Sequence, residues 1–341
     1  MPEAAAAESR ILVVGPSWVG DMVMAQSLFK ALHQRSPGCH IGVLAPAWTT
    51  PLLARMPEVA EAFPADLSHG KLGIGERLSQ ARKIRQAGYD QAIVLPRSLK
   101  SSLVPWLARI PRRTAYLGEM RYGLINDVRP LAKDRLPLNV QRFVALAAEQ
   151  GADTPANYEF PSLQSDPVDV EASLARLGLE LPSRPVLGLC PGAEYGPAKQ
   201  WPGSHFAELA KMAIKKGFLV WLFGSDKDRN ICLEIERSIA DDGANLCGRT
   251  SLSEAIDLMS VCHTVVSNDS GLMHVAAALG KPVVVLYGSS SPGFTPPLSK
   301  QAQILNLELD CSPCFKRECP LQHLNCLTKI SAQQVYSHID L

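Results

Sequence analysis

Short apolar runs alternate along this chain with longer stretches whose apolar residues recur every three or four positions. Residues 11–15 (ILVVG) form a β-branched run ending in a turn, and residues 22–35 follow with helical spacing, predicting a strand, a loop and a helix. Residues 40–44 and 91–95 (QAIVL) predict further strands, with a helix over 76–86 between them. The pattern restarts later: 186–190, 218–223, 264–267 and 282–287 read as buried strands, separated by helices such as 205–216 and 272–279. Strands alternating with helices predict parallel pairing through right-handed crossovers. Between the two series, residues 151–185 are rich in Pro, Ser and Asp, with one helical patch at 168–177, and the domain junction is expected there. The predicted fold class is therefore α/β: two Rossmann-like, doubly wound parallel-sheet domains, 1–165 and 166–341, facing across a cleft.

Length and composition agree with two globular domains: 341 residues, 46% hydrophobic and 20% charged. The net charge of +1 argues against bulk nucleic acid as a partner. The N-terminal MPEAAAAES has no apolar run of signal-peptide type and is expected to fray, which predicts a cytoplasmic protein. No stretch reaches the roughly 20 apolar residues of a membrane span, so membrane contact is expected to be peripheral. Nine cysteines without a secretory signal read as reduced thiols or metal ligands before disulfides, and the fold is expected to stand without disulfides.

In doubly wound sheets ligands bind beyond the carboxyl ends of the strands, so the loops there carry the candidate chemistry. Gly15-Pro-Ser-Trp-Val-Gly-Asp21 has the Gly-x4-Gly spacing of a phosphate loop, but Asp21 and Met22 stand where that loop needs Lys and Ser or Thr. What remains is a tight turn presenting a carboxylate at a helix start. Asp21 is open between a general base and an ordinary N-cap. Ser267-Asn-Asp-Ser-Gly-Leu-Met-His274 runs from a strand into a helix whose first amides, at Ser270 and Gly271, suit phosphate. His274 lies four residues beyond Ser270 on the same predicted face, and Asp269 suits orienting the loop or bonding a sugar hydroxyl better than meeting phosphate. Cys190 to Pro202 is a Gly- and Pro-shaped loop, with Gly192 counted as a substrate-binding position and Lys199 as its one cation for a leaving diphosphate. Asp228, after the 218–223 strand, is a candidate acceptor for a ribose or sugar hydroxyl. Lys100, Arg109, Arg112, Arg113 and Arg121 punctuate the first domain, and the Arg112 and Arg113 forks are assigned to an anionic acceptor. Cys311, Cys314, Cys319 and Cys326, with His323 among them, match usual zinc spacing only in the first pair and are read as thiols without metal.

Taken together, Gly15 to Asp21, Ala45-Pro-Ala-Trp48, Gly118-Glu-Met-Arg-Tyr-Gly123, Pro191 to Lys199, Asn268 to His274 and Ser291-Pro-Gly-Phe-Thr-Pro-Pro297 resemble glycosyltransferase family 9, the ADP-heptose:lipopolysaccharide heptosyltransferases. The resemblance runs from about Ile11 to the C-terminus. It implies the GT-B architecture, with the acceptor on the first domain and ADP-heptose on the second. It further implies inverting transfer of L-glycero-D-manno-heptose to an inner-core heptose, with no metal or other cofactor. Asp21 matches the family's base, Lys199 its diphosphate lysine, Asp269, Ser270, Gly271 and His274 its nucleotide-sugar loop, while Asp228 stands where a relative has Glu. Arg97 departs from the expected Asn. Trp18 and residues 118–122 favour the enzymes that act on heptosyl-Kdo-lipid A, at the inner leaflet, over those that act on Kdo-lipid A. A nucleotide-sugar epimerase is the rival from another class, since it shares the two-domain layout.

Overall fold

Near-continuous apolar runs are what a parallel sheet covered by helices on both faces requires, and they become the central strands. A computed structural model describes residues 9–65, 73–152 and 157–339; residues 1–8, most of the N-terminal stretch expected to fray, lie outside them. The chain divides into two compact units, Met1–Pro161 and Ser162–Leu341.

The first unit holds β1 (Arg10–Val14), β2 (His40–Pro46), β3 (Glu61–Ala65), β4 (Gln91–Val94), β5 (Arg112–Tyr116) and β6 (Asp127–Arg129) in the order β3-β2-β1-β4-β5-β6, all pairs parallel. Its helices are α1 (Val19–Arg35), α2 (Thr50–Leu53), α3 (Ile74–Gln86), α4 (Leu99–Leu107) and α5 (Asn139–Val144). The second unit repeats the topology with β7 (Val186–Cys190), β8 (Leu219–Leu222), β9 (Gly243–Asn245), β10 (Thr264–Asn268), β11 (Val283–Tyr287) and β12 (Ala302–Asn306), ordered β12-β11-β10-β7-β8-β9. Around it lie α6 (Pro167–Leu177), α7 (Gly203–Lys215), α8 (Arg229–Glu236), α9 (Leu252–Ser260), α10 (Gly271–Ala278), α11 (Asn325–Thr328) and α12 (Ala332–Tyr336).

Central β1, β4, β7, β10 and β11 are buried almost throughout. The strands that apolar runs do not predict lie at or next to the edges: β3 carries Pro64, tolerable where one side of the strand is unpaired, and β12 has no fully buried residue. Sequence signals also set helix ends. Asp166 caps α6 by accepting from Val168 N at 2.9 Å, Pro167 occupies its first turn, and Gly178 ends it at φ 69°. In α7, Phe206, Leu209, Ala210 and Ala213 form the buried face that packs on β8, while α8 and α12 lie alongside.

One expectation is overturned. Cys232 on α8 and Cys247 just after β9 are joined by a disulfide, with Cα atoms 6.5 Å apart. They lie fifteen positions apart in the sequence, and only the packing of α8 beside β9 brings the two buried side chains together. The other seven cysteines are free. Among the described residues no helix is long and apolar enough to cross a membrane.

Candidate active site

In the second unit the site grows from the end of β10. Asn268, its last residue, is fully buried: Oδ1 accepts from Trp201 N at 3.0 Å and Nδ2 donates to Pro191 O at 2.7 Å. One side chain thus ties both ends of the 191–201 loop to the strand. Trp201 anchors the same loop in the core, its Nε1 donating to Ile330 O at 2.8 Å and its ring meeting Phe206 edge-on at 4.7 Å between centroids. Lys199, two residues before this anchor, points Nζ to Asp269 Oδ2 at 2.5 Å. Ser290, after β11, donates to that same oxygen. Asp269, only 4% exposed, thus holds both Lys199 and Ser290.

Ser270 is the N-cap of α10, but its side chain does not cap the helix; its Oγ lies 3.3 Å from Ser267 Oγ. Half-buried Gly271 opens the helix, so its first amides and the positive end of the dipole lie in the same loop as Asp269. His274, one turn on, is buried; burial lowers its pKa to about 4, with Asp269 pulling it up and Lys199 pushing it down. It is a neutral imidazole at physiological pH. Extended backbone at Ser270 leaves the predicted Ser270–His274 shared face only in part, since Ser270 precedes the helix proper.

Asp228 precedes α8, and its Oδ2 accepts from both the N and the Oγ of Ser225 at 2.8 Å. The carboxylate sits against Gly192: a Cβ built there would lie 2.3 Å from Asp228 Cγ. Gly192 is needed because two strand-end loops approach this closely. The second unit thus gathers Gly192, Lys199, Asp228, Asp269, Ser270, Gly271 and His274 onto the carboxyl edge of one sheet. A cation beside a helix start stabilises a diphosphate, and an oriented half-buried carboxylate accepts from a hydroxyl. The four C-terminal cysteines and His323 line one cavity that also touches Ala198. Among the described residues no three His, Cys, Asp or Glu side chains gather closely enough to hold a metal ion.

In the first unit, Asp21 is the third residue of α1, and Trp18 holds the N-cap position. The N-cap alternative for Asp21 is thereby removed, although a first-turn carboxylate still gains from the helix dipole. Its Oδ1 accepts from Asn139 Nδ2, at the start of α5, at 3.0 Å. Trp48 Nε1 donates to Ser17 O at 3.1 Å, bracing the loop that leads into α1.

The arginines are a correction. Arg112 and Arg113 open β5 in register with Gln91 and Ala92, at the amino edge of the sheet, opposite the edge at which α1 begins and Asp21 lies. Arg112 binds Asp127 at 2.9 Å and Glu149 at 2.7 Å, and Arg113 donates to Leu124 O at 2.7 Å and Ile110 O at 2.5 Å. Burial pushes Asp127 up, yet hydrogen bonds from Arg129, Thr114 and Arg112 overcome it and hold the carboxyl at about 2. These forks are engaged by groups of the first unit itself, at the amino edge of its sheet. Arg121 is also structural: fully buried, it donates to Pro96 O at 2.7 Å, Tyr116 O at 2.6 Å and Ser102 Oγ at 3.0 Å. Arg97, at the carboxyl end of β4, is the exposed arginine of that loop, donating to Leu117 O at 3.2 Å.

The sequence reading missed Asn139, Asn268, Trp201 and Ser290. A buried amide at the end of an apolar strand, and the Ser289-Ser290-Ser291 run after another, were the signals that pointed to two of them.

The two Rossmann-like units of six parallel strands each match the architecture of GT-B glycosyltransferase structures. The family profile described as glycosyltransferase family 9 (heptosyltransferase) matches residues 77–325. Lipopolysaccharide heptosyltransferase 2 of Salmonella typhimurium is 48% identical, over 97% of each chain. The solved structure of Escherichia coli ADP-heptose lipopolysaccharide heptosyltransferase II superposes with a TM-score of 0.86 at 46% identity, covering 96% of this chain and 97% of that one. A family 9 glycosyltransferase from Veillonella parvula, 22% identical, shares the fold with a TM-score of 0.85, covering 98% of each chain. The chain belongs to glycosyltransferase family 9, the heptosyltransferases.

Proposed function

We propose that this enzyme transfers L-glycero-D-manno-heptose from ADP-heptose to the first heptose of heptosyl-Kdo-lipid A, in the manner of a heptosyltransferase II. Supporting the substrate pair are the end-to-end 48% identity to a lipopolysaccharide heptosyltransferase 2 and the name of the E. coli structure. Supporting the chemistry is one observation above all: Lys199, fixed by Asp269, in a loop tied to the strand that leads into α10. In this reading the second unit binds ADP-heptose and the first binds the acceptor. Asp21 takes the proton from the acceptor hydroxyl as its oxygen attacks the anomeric carbon from the face opposite ADP, giving inversion. The C–O bond to the diphosphate breaks as the new one forms, and Lys199 with the Ser270 and Gly271 amides takes up the growing charge. Asp228 holds a donor hydroxyl. The enzyme works at the cytoplasmic face of the inner membrane, where the lipid-linked acceptor is presented.

The test is ADP release from ADP-heptose by wild type and Asp21→Asn, with and without heptosyl-Kdo-lipid A. Acceptor-dependent release that falls by roughly 10²- to 10⁴-fold in the variant supports transfer and the base together. Conversion of the donor without acceptor would point to the epimerase, and an unaffected Asp21→Asn to a different base.

A further inference from the structure

Lys199 does not offer an unbalanced charge. Its ammonium faces Asp269 at 2.5 Å, and Lys227, the cation of the neighbouring β8 loop, is paired with Glu194. A nucleotide-sugar diphosphate carries formal charge on both phosphates and gains more as ADP departs, so a site built on Lys199 alone has its cation half neutralised before the donor arrives.

One further cation is built into this place. Arg317 lies in the cysteine-rich segment after β12, and its guanidinium is 5.5 Å from the centroid of the Tyr195 ring; Lys199 Nζ is 5.2 Å from that same centroid. Two cations thus share one aromatic ring of the 191–201 loop. The backbone around Arg317 is fixed to that loop from several directions. Ala198 N donates to Arg317 O at 3.0 Å, and Tyr195 Oη donates to Phe315 O at 2.9 Å. Gly196, at φ 153°, passes so close that a Cβ there would lie 2.6 Å from Arg317 O. Phe315 N donates to Ser289 O at 2.6 Å, beside the serine that bonds Asp269. Arg317 is exposed and makes no ion pair with a carboxylate among the described residues. An arginine laid on a ring, with its chain immobilised and its fork unclaimed by a carboxylate, is preorganised for an anion that accepts two hydrogen bonds.

We infer that Arg317 is a second diphosphate ligand, delivered by the cysteine-rich segment to the loop that holds Lys199, so that this segment is part of the donor site. The inference rests on the reading above, in which Lys199 receives the diphosphate.

Titration calorimetry with ADP and with AMP, on wild type, Arg317→Ala, Arg317→Lys and Lys199→Met, separates the possibilities. Arg317→Ala is expected to weaken ADP about 10-fold or more while leaving AMP within about 2-fold, with Arg317→Lys recovering part of the loss. For turnover, KM for ADP-heptose should rise more than kcat falls. Arg317→Ala that binds ADP like wild type, while Lys199→Met does not, overturns the role of Arg317 and leaves the diphosphate site standing. Equal losses for ADP and AMP, accompanied by a lower melting temperature, make Arg317 a structural clamp and also overturn it. If Lys199→Met leaves the preference for ADP over AMP intact, the diphosphate reading itself fails, and the inference with it.

Discussion

Asn139 donates a hydrogen bond to Asp21 from a helix more than a hundred residues away, and that bond helps to aim the proposed base. Positioning of this kind is expected to matter for the transition state more than for binding. Asn139→Ala should lower kcat by roughly 10- to 100-fold with little change in KM for ADP-heptose, read from initial rates at saturating acceptor. A matching rise in KM with kcat intact would give Asn139 to substrate binding instead. His274 makes a different prediction, through proton linkage. Its pKa of about 4 lies below the ordinary 6.5, so between these values the unfolded chain takes up a proton that the folded chain refuses. The stability is fully present above about pH 6.5 and falls as the pH drops toward 4, by on the order of 3 kcal/mol in all. Urea midpoints of wild type and His274→Gln at pH 7, 6 and 5 should therefore converge on acidification. A gap that stays constant would mean that His274 titrates normally.

At the scale of elements, the 191–201 loop is held by its two ends and by its neighbours. Asn268 ties Pro191 and Trp201 to the end of β10, and the Asp228 carboxylate presses on Gly192. Gly192→Ala places a methyl where that carboxylate now lies, and Asp228 is not free to swing aside because Ser225 binds it twice. The expected outcome is a rise in KM for ADP-heptose of about 10-fold together with a lower melting temperature, since the backbone of the two loops has to give way. An unchanged KM would show that neither Gly192 nor Asp228 meets the donor. Asn268→Ala removes a fully buried amide and leaves Trp201 N without its acceptor, so it should cost stability, by about 1–3 kcal/mol in chemical denaturation. Local sequence foretold the loop itself, through its glycines, its prolines and its place after an apolar strand. It did not foretell the ties, because each of them joins residues distant in the chain.

Over the whole molecule, the same strand order occurs twice, each unit with its own core and its own carboxyl edge. The cysteines are also decided at this scale. Seven free thiols and one bond predict that titration with a thiol reagent in denaturant counts seven, rising to nine after reduction. Nine before reduction would mean that the Cys232–Cys247 bond does not persist in solution. The sequence by itself determined the parallel α/β class, the central strands, most long helices and the strand-end segments in which Asp21, Lys199, Asp228 and Asp269 sit. Those features depend on local periodicity and on the rule that chemistry collects at strand ends. Tertiary structure alone decided that Lys199 meets Asp269 across 70 residues, that Arg112 and Arg113 open a strand at the amino edge and pair with groups of their own unit, and that Cys232 finds Cys247. A side chain's type and its neighbours in sequence fix what it can bond, but the crossovers of a parallel sheet choose its partners. A polar group already satisfied by the fold is no longer available to a substrate.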